Sequence, residues 1–347
     1  MSDAAGYAYL HGRTSVLAAQ LLSPLQLENL IQLPLGQETE VLLAAGITDF
    51  HPGETAISPR TREQRLITIL LDELLVLTRA VTSGERDFLI YWAYRFELSN
   101  LKTLLRGKLN GQDAATIREE FVDMGSFARL PLETLLRTED VAEVLRQLEE
   151  GTAFADLARQ VRRIFEERHE PFALDAAIDR QYFAGLAKRA RSIKGGASGP
   201  LRKLVGGIID RLNLVWLLRY RLAYGLSPAE TYYLLIPSSY RLSRQVLQAL
   251  SQLNSFEEIM AQLPAPFSKW LAQANNTTQV TYILERESWR LAESVLRRSA
   301  FNLARAFAYL LLRERDLRRV RAAIKGKRLK LAPELIREAA GITAAPS

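Results

Sequence analysis

The residues of this chain best suited to chemistry are a carboxylate, an amide or guanidinium, and two bases that recur at fixed offsets. Glu97, Asn100, Arg106 and Lys108 form one set, Asp210, Asn213, Arg219 and Arg221 a second, and Asp316, Arg319, Lys325 and Lys327 a third. In each set the other members follow the acid by three, nine and eleven residues. On a helix turning about 100° per residue, offsets three and eleven fall on the acid's side and offset nine falls opposite. Glu97, Asn100, Leu101, Leu104 and Lys108 therefore share a stripe, as do Asp210, Asn213, Leu214, Leu217 and Arg221. Such groups can hydrogen-bond and pair charges, but the spacing converges no nucleophile with a base. A polar group left unpaired on a leucine-lined face costs about 1–3 kcal/mol. Ile208, Leu212 and Val215 make the reverse face of the second helix apolar too. Asp210 and Asn213 are thus expected to be semi-buried, partnered by a neighbouring unit's base, a loop backbone or a bound protein.

Signatures of catalysis or cofactor binding are missing. The three histidines, His11, His51 and His169, lack metal-ligand spacing, and His169 sits in a charged run, residues 166–170, that reads as exposed helix. No serine-nucleophile elbow, zincin helix or P-loop occurs. Gly195-Gly196-Ala197-Ser198-Gly199-Pro200 follows Lys194 but lacks P-loop spacing and a preceding strand, and it reads as a flexible connector. No catalytic, cofactor-binding or metal-binding residue is assigned, and no cofactor.

The elements that must position these sets are helices. Apolar residues recur at three- and four-residue spacing and strand-like alternation is nearly absent. Starts are marked by Ser23-Pro24, Thr138-Glu139-Asp140, Ser227-Pro228-Ala229-Glu230, Ala332-Pro333-Glu334, and a capping box at Ser255-Phe256-Glu257-Glu258. A hexapeptide also repeats at intervals of 115: Glu28-Asn29-Leu30-Ile31-Gln32-Leu33, Glu143-Val144-Leu145-Arg146-Gln147-Leu148 and Glu258-Ile259-Met260-Ala261-Gln262-Leu263. Its apolar pairs three apart mark a packing face, and its Glu and Gln, four apart, can bond on the surface. Both patterns, in the same order, point to one module used three times, with units at residues 1–125, 126–243 and 244–347.

The composition, 48% hydrophobic over 347 residues, supports substantial cores, and the absence of cysteine leaves no disulfide or thiolate metal site. The start lacks the profile of a secretory signal. Residues 66–77 and 205–218 are the most apolar runs, but both carry charges and fall short of the ~20 apolar residues of a span. Net charge is +7, with the excess concentrated in residues 313–330. That stretch suits nucleic acid, acidic lipid or an acidic protein, or is a solvated helix face.

With the repeats in view, the chain resembles the C subunit of V/A-type rotary ATPases, called d in the vacuolar enzyme, over essentially its whole length. Tyr7-Ala8-Tyr9-Leu10-His11-Gly12-Arg13 is similar to the family's aromatic opening. Tyr94-Arg95-Phe96-Glu97-Leu98-Ser99-Asn100-Leu101-Lys102 resembles its first acid-x-x-Asn helix. Asp210-Arg211-Leu212-Asn213 with Arg219 and Leu235-Ile236-Pro237 resembles the second, and residues 308–318 the third. Gly12 replaces a common Ala, and Arg319 stands where the family usually has Asn, which bears on the third unit's polar contacts. The resemblance implies an all-α fold of three similar helical units in a pseudo-threefold funnel. It also implies a non-catalytic role between the central shaft and the membrane rotor ring of proteolipid subunits, coupling ATP hydrolysis or synthesis to H+ or Na+ transport. Nucleic acid and a membrane span have no part in that role; the chain would act as a single copy in a hetero-oligomer, cytoplasmic and peripheral on the membrane.

Glu97, Asn100, Lys108, Asp210, Asn213, Arg221 and Asp316 are then candidates for contacts between units or with a partner. Arg318, Arg321 and Lys325 are candidates for a charged rim. The competing reading is a basic helical nucleic-acid binder or adaptor using residues 313–330, although that stretch lacks the interleaved aromatics that base stacking uses.

Overall fold

Local signals at the helix ends explain where most elements begin. The computed structural model describes residues 2–342, apart from 49, 51, 52, 54–57, 151, 153, 169, 170, 238 and 239. The early helices are α1 (Ser2–Ala18), α2 (Pro24–Gln32), α3 (Thr39–Ala44), α4 (Pro59–Thr78), α5 (Ser83–Leu109) and α6 (Ala114–Glu119). They are followed by α7 (Leu132–Leu136), α8 (Val141–Glu149), α9 (Ala155–Arg168), α10 (Pro171–Ser192), α11 (Ser198–Leu218) and α12 (Pro228–Leu234). The last are α13 (Arg244–Ser251), α14 (Phe256–Ala261), α15 (Phe267–Trp270), α16 (Thr277–Arg298), α17 (Leu303–Arg328) and α18 (Pro333–Ala339). The fold is all-α: no strand occurs among the described residues.

Ser23 and Ser227 close full capping boxes with Gln26 and Glu230, each with proline at the first helical position. Asp140 caps α8. At α14 only half of the expected box forms. Ser255 accepts the Glu258 N–H, but the Glu258 carboxylate reaches one residue further back, to the Asn254 N–H at 3.0 Å. Gly195–Ala197 is a single 3-10 turn that leads straight into α11. His51 and His169 lie outside the described residues, and His11 stacks on Phe301 at 4.4 Å.

The chain divides into two compact units, and the division falls within α5 and within α16. One unit joins residues 1–89 to 289–347. There α17 packs against α1, α2, α4 and α18, and Phe88 meets Phe307 edge to face at 4.9 Å. The other unit, residues 90–288, packs α8 on α9, α9 on α10, α10 on α11 and α12 on α13. Its core gathers Leu214, Leu217 and Leu218 of α11 with Leu234, Leu247, Leu250 and Ile259. Ile208, Leu212 and Val215 are half-buried. The stripe side of α11 goes deeper than the sequence suggests: Asp210 and Asn213 are fully buried, not semi-buried.

Candidate functional site

Each recurring polar set sits on a long helix, α5, α11 with the π turn Arg219–Ala223 that continues it, or α17, and holds a short helix by its ends. On α5, Glu97 Oε1 accepts the N–H groups of Arg129 and Leu130, the latter at 2.9 Å, where the chain enters α7. Lys108 donates to the carbonyls of Leu136, at 3.3 Å, and Thr138, where the chain leaves it. On α11, Asp210 accepts the N–H groups of Arg241 at 3.1 Å and Leu242 at 3.2 Å, just before α13. Arg221 grips the Leu253 carbonyl just after α13, and Asn254 Oδ1 at 2.5 Å. On α17, Asp316 accepts the Leu22 N–H at 2.8 Å, just before α2, and Lys327 bonds Glu38 at 2.8 Å beyond α2. The bases at offset nine, Arg106, Arg219 and Lys325, are all exposed, as the helical angle requires.

The amides complete two of the clamps. Asn100 donates to the Val122 carbonyl at 2.8 Å and accepts the Val122 N–H at 2.7 Å. Asn213 treats Ile236 the same way, at 2.9 and 2.8 Å. Each amide therefore satisfies one residue of extended backbone completely, which a buried loop requires. On α17 the amide is replaced by Arg319, 4.0 Å from Asp316. The matching backbone residue, Ile342, donates instead to Arg337 at the end of α18.

Electrostatics separate the three acids. Burial pushes the Glu97 carboxyl above its ordinary range, opposed by the Arg129 and Leu130 N–H groups. Its Oε2 is buried without a hydrogen-bond partner. Burial also raises Asp316, against the opposing charge of Arg315, which bonds it at 3.1 Å and reaches Glu293 at 2.7 Å. Asp210 accepts the Arg241 N–H on one oxygen and the Leu242 N–H on the other.

Two features correct the reading from sequence. Residues 313–330 are not one exposed basic patch. Arg313 is fully buried, with bonds to Glu73 at 2.8 Å and to the carbonyls of Ala45 at 2.7 Å and Gly46 at 3.0 Å. Arg315 is buried too, and Lys327 is half-buried on Glu38. Arg318, Arg321 and Lys325 do face outward along α17; Arg318 lies over Trp289 at 5.2 Å and Arg321 pairs with Glu63 at 2.5 Å. The hexapeptides, moreover, do not hold matching places relative to the clamps. The first lies on α2, itself a clamped helix, whereas the second and third lie on α8 and α14, one helix after the clamped ones. The surface Glu–Gln bond forms in the first two copies, at 2.9 and 3.5 Å.

The resemblance to a rotary ATPase component is met by the comparison with known proteins. Residues 10–339 match the family described as ATP synthase (C/AC39) subunit. This chain belongs to that family. Among its relatives, the C subunit of the A-type ATP synthase of Methanocaldococcus jannaschii is 26% identical, covering 96% of this chain and 86% of its own length. The Thermococcus kodakarensis counterpart is 24% identical, with 96% and 90% covered. The Halobacterium salinarum counterpart is 22% identical, with 94% and 95% covered. The family match spans all three polar sets, so the clamps lie inside the family's own extent.

The sequence reading missed one pair of contacts that it could have found. Gly107 and Gly326 each follow their acid by ten residues, and Ile117 and Ile336 by twenty. A Cβ on either glycine would meet that isoleucine at 2.5 or 2.7 Å. The glycines let α6 and α18 lie close on their long helices. By contrast, nothing local marks Glu73 as the partner of Arg313, because the two stand 240 residues apart. Among the described residues, no three His, Asp or Glu side chains come together to hold a metal.

Proposed function

We propose that this chain is the non-catalytic central-stalk subunit of a V/A-type rotary ATPase or ATP synthase. It acts as a socket between the rotating shaft and the membrane rotor ring, so that ATP hydrolysis or synthesis is coupled to H+ or Na+ transport. It works as a single copy, peripheral on the cytoplasmic face, with shaft subunits and ring proteolipids as partners. The observation that carries this reading is the family match across nearly the whole chain, to relatives named as the C subunits of A-type ATP synthases. No helix among the described residues is long and apolar enough to cross a membrane, which suits a part that sits on the ring.

We further propose three similar units, at residues 1–125, 126–243 and 244–347, arranged as a pseudo-threefold funnel. The recurring clamps support this reading. Buried polar groups tied to loop backbone favour a single packing and resist sliding, and stiffness of that kind suits a part that transmits torque. In this proposal Arg318, Arg321 and Lys325 form the charged rim that docks a rotor partner, since paired charges steer and orient association. The nucleic-acid reading loses its footing because Arg313, Arg315 and Lys327 are already engaged by carboxylates.

The test reverses Arg318, Arg321 and Lys325 to Glu. Exposed helix substitutions cost about 0.5 kcal/mol or less each, so the chain should stay folded. Reconstitution with shaft and ring subunits should be weakened and ATP-driven ion pumping reduced. Normal assembly and pumping would make this stripe a solvated face, and a failure to co-purify with any shaft or ring subunit would sink the socket itself.

A further inference from the structure

The long clamped helices end in three comparable turns, and one of them departs from the others. Gly111 and Gly225 end α5 and the π turn after α11 with φ of +67° and +65°, the left-handed backbone that glycine adopts without a steric penalty. Gly111 stands fourteen residues after Glu97, and Gly225 fifteen after Asp210, the π turn over Arg219–Ala223 taking up the extra residue. Fourteen residues after Asp316 the chain has Lys330, at φ +55°. Its N–H bonds the Lys327 carbonyl at 2.9 Å, and the Leu331 N–H bonds Gly326 at 3.0 Å, so the helix end keeps the glycine geometry. A lysine here is strained where its counterparts are not, and retained strain points to use.

The surroundings say what the use is. Leu329 and Leu331 flank Lys330 and are 60% and 40% exposed, and Leu335 on α18 is 51% exposed. Leu329 and Leu331 stand where α17 ends and the chain turns into α18, with much of their apolar surface open to solvent. Seven cationic residues and no acid lie in residues 317–333. Arg318, Arg319, Arg321 and Lys327 face Glu314, Asp316, Glu63 and Glu38, and Lys325 and Lys330, both exposed, leave a cationic excess on the last turn and at the tip. The nearest acid beyond, Glu334, is engaged by Arg337 at 3.4 Å. The α11–α12 turn also exposes an aromatic, Tyr224, but that ring packs on Phe172 and Tyr220.

We infer that the α17–α18 turn is a contact for an anionic bilayer surface, with Leu329 and Leu331 entering the interface and Lys330 held among the headgroups. Apolar side chains ringed by cations bind such surfaces by combining area burial with attraction to acidic lipid. The inference rests on the membrane-face placement proposed above, and it adds a lipid contact to the protein contacts of that reading.

The test is sedimentation of the full chain with vesicles of phosphatidylcholine alone or mixed with phosphatidylglycerol. Binding should require phosphatidylglycerol and weaken with salt. Leu329→Ser with Leu331→Ser should cut it roughly tenfold per leucine removed. Lys330→Gly should cut it about fivefold, while raising the denaturation midpoint because the left-handed strain is relieved. Absence of binding to the mixed vesicles, or binding that the leucine changes leave intact, would overturn the inference. So would leucine variants that bind vesicles normally but fail to assemble with rotor subunits, since the tip would then serve a protein. The vesicles contain no shaft or ring subunit, so this assay can fail while the assembly test succeeds, and the reverse.

Discussion

Helix α11, in the unit of residues 90–288, buries Asp210 and Asn213 against loop backbone. Helix α17, in the other unit, buries Asp316, Arg313 and Arg315 in a set of ionic contacts with Glu73 and Glu293. The two helices carry the same acid at the same point of the same pattern. On α11 the acid accepts the backbone N–H groups of Arg241 and Leu242, donors that the buried loop had to satisfy in any case. On α17 it is met by a guanidinium, and each added charge needs its own partner. Backbone clamping therefore spreads the cost of burial over groups that needed partners in any case, whereas ionic clamping makes each member depend on the next.

That contrast is open to attack first at Arg313. Replacing it with Met should cost about 3–5 kcal/mol, because Glu73 would stay buried without its cation and two carbonyls would lose their donor. Urea unfolding of the purified chain measures this. Adding Glu73→Gln should restore part of the loss. A cost below about 1 kcal/mol would show that α17 tolerates broken pairs and that the contrast is false.

The next comparison lies within the backbone clamps. Asp210→Asn should cost about 1–3 kcal/mol, since an amide NH2 would then face one of two N–H donors. Glu97→Gln should cost under about 1 kcal/mol, because one oxygen does all the accepting and the other has no partner. Finding the opposite order would break the assignment of roles. The pH dependence sharpens it. Burial holds the Glu97 carboxyl above its ordinary 4.5, so the folded chain binds that proton more tightly than the unfolded one. Stability from this group is therefore greatest at low pH and declines as pH rises from 4.5 through the folded value. The Gln variant lacks that decline and should gain on the parent over that window.

The smallest expected effect is at the surface. Hydrogen bonds from Arg337 and Gln32 hold the Glu28 carboxyl down at about 2, tying α18 to α2. A lowered value reverses the sign: the contribution is full above 4.5 and fades as pH falls toward 2. Glu28→Gln should therefore lower the melting midpoint slightly at neutral pH, with the gap to the parent closing progressively on acidification. A gap that stays constant down to the acid limit would assign the effect to helix propensity instead of the ion pair.

Sequence alone determined the local features. Apolar spacing gave the helices, Ser23-Pro24 and Ser227-Pro228 set their starts, and the three-and-eleven offsets put acid, amide and base on one face. These follow from rotation per residue and from unsatisfied N–H groups at helix ends, both readable over a few positions. Tertiary structure alone decided what those faces meet. Leu22 lies 294 residues from Asp316, and Ala45 lies 268 residues from Arg313. Charge composition could not tell the buried Arg313 from the exposed Arg318, since burial depends on which helices pack around a side chain. The hexapeptide shows the same limit from the other side: its equal spacing along the chain did not carry over to equal places around the clamps. Distance along the chain fixes register only within an element, and packing sets it between elements.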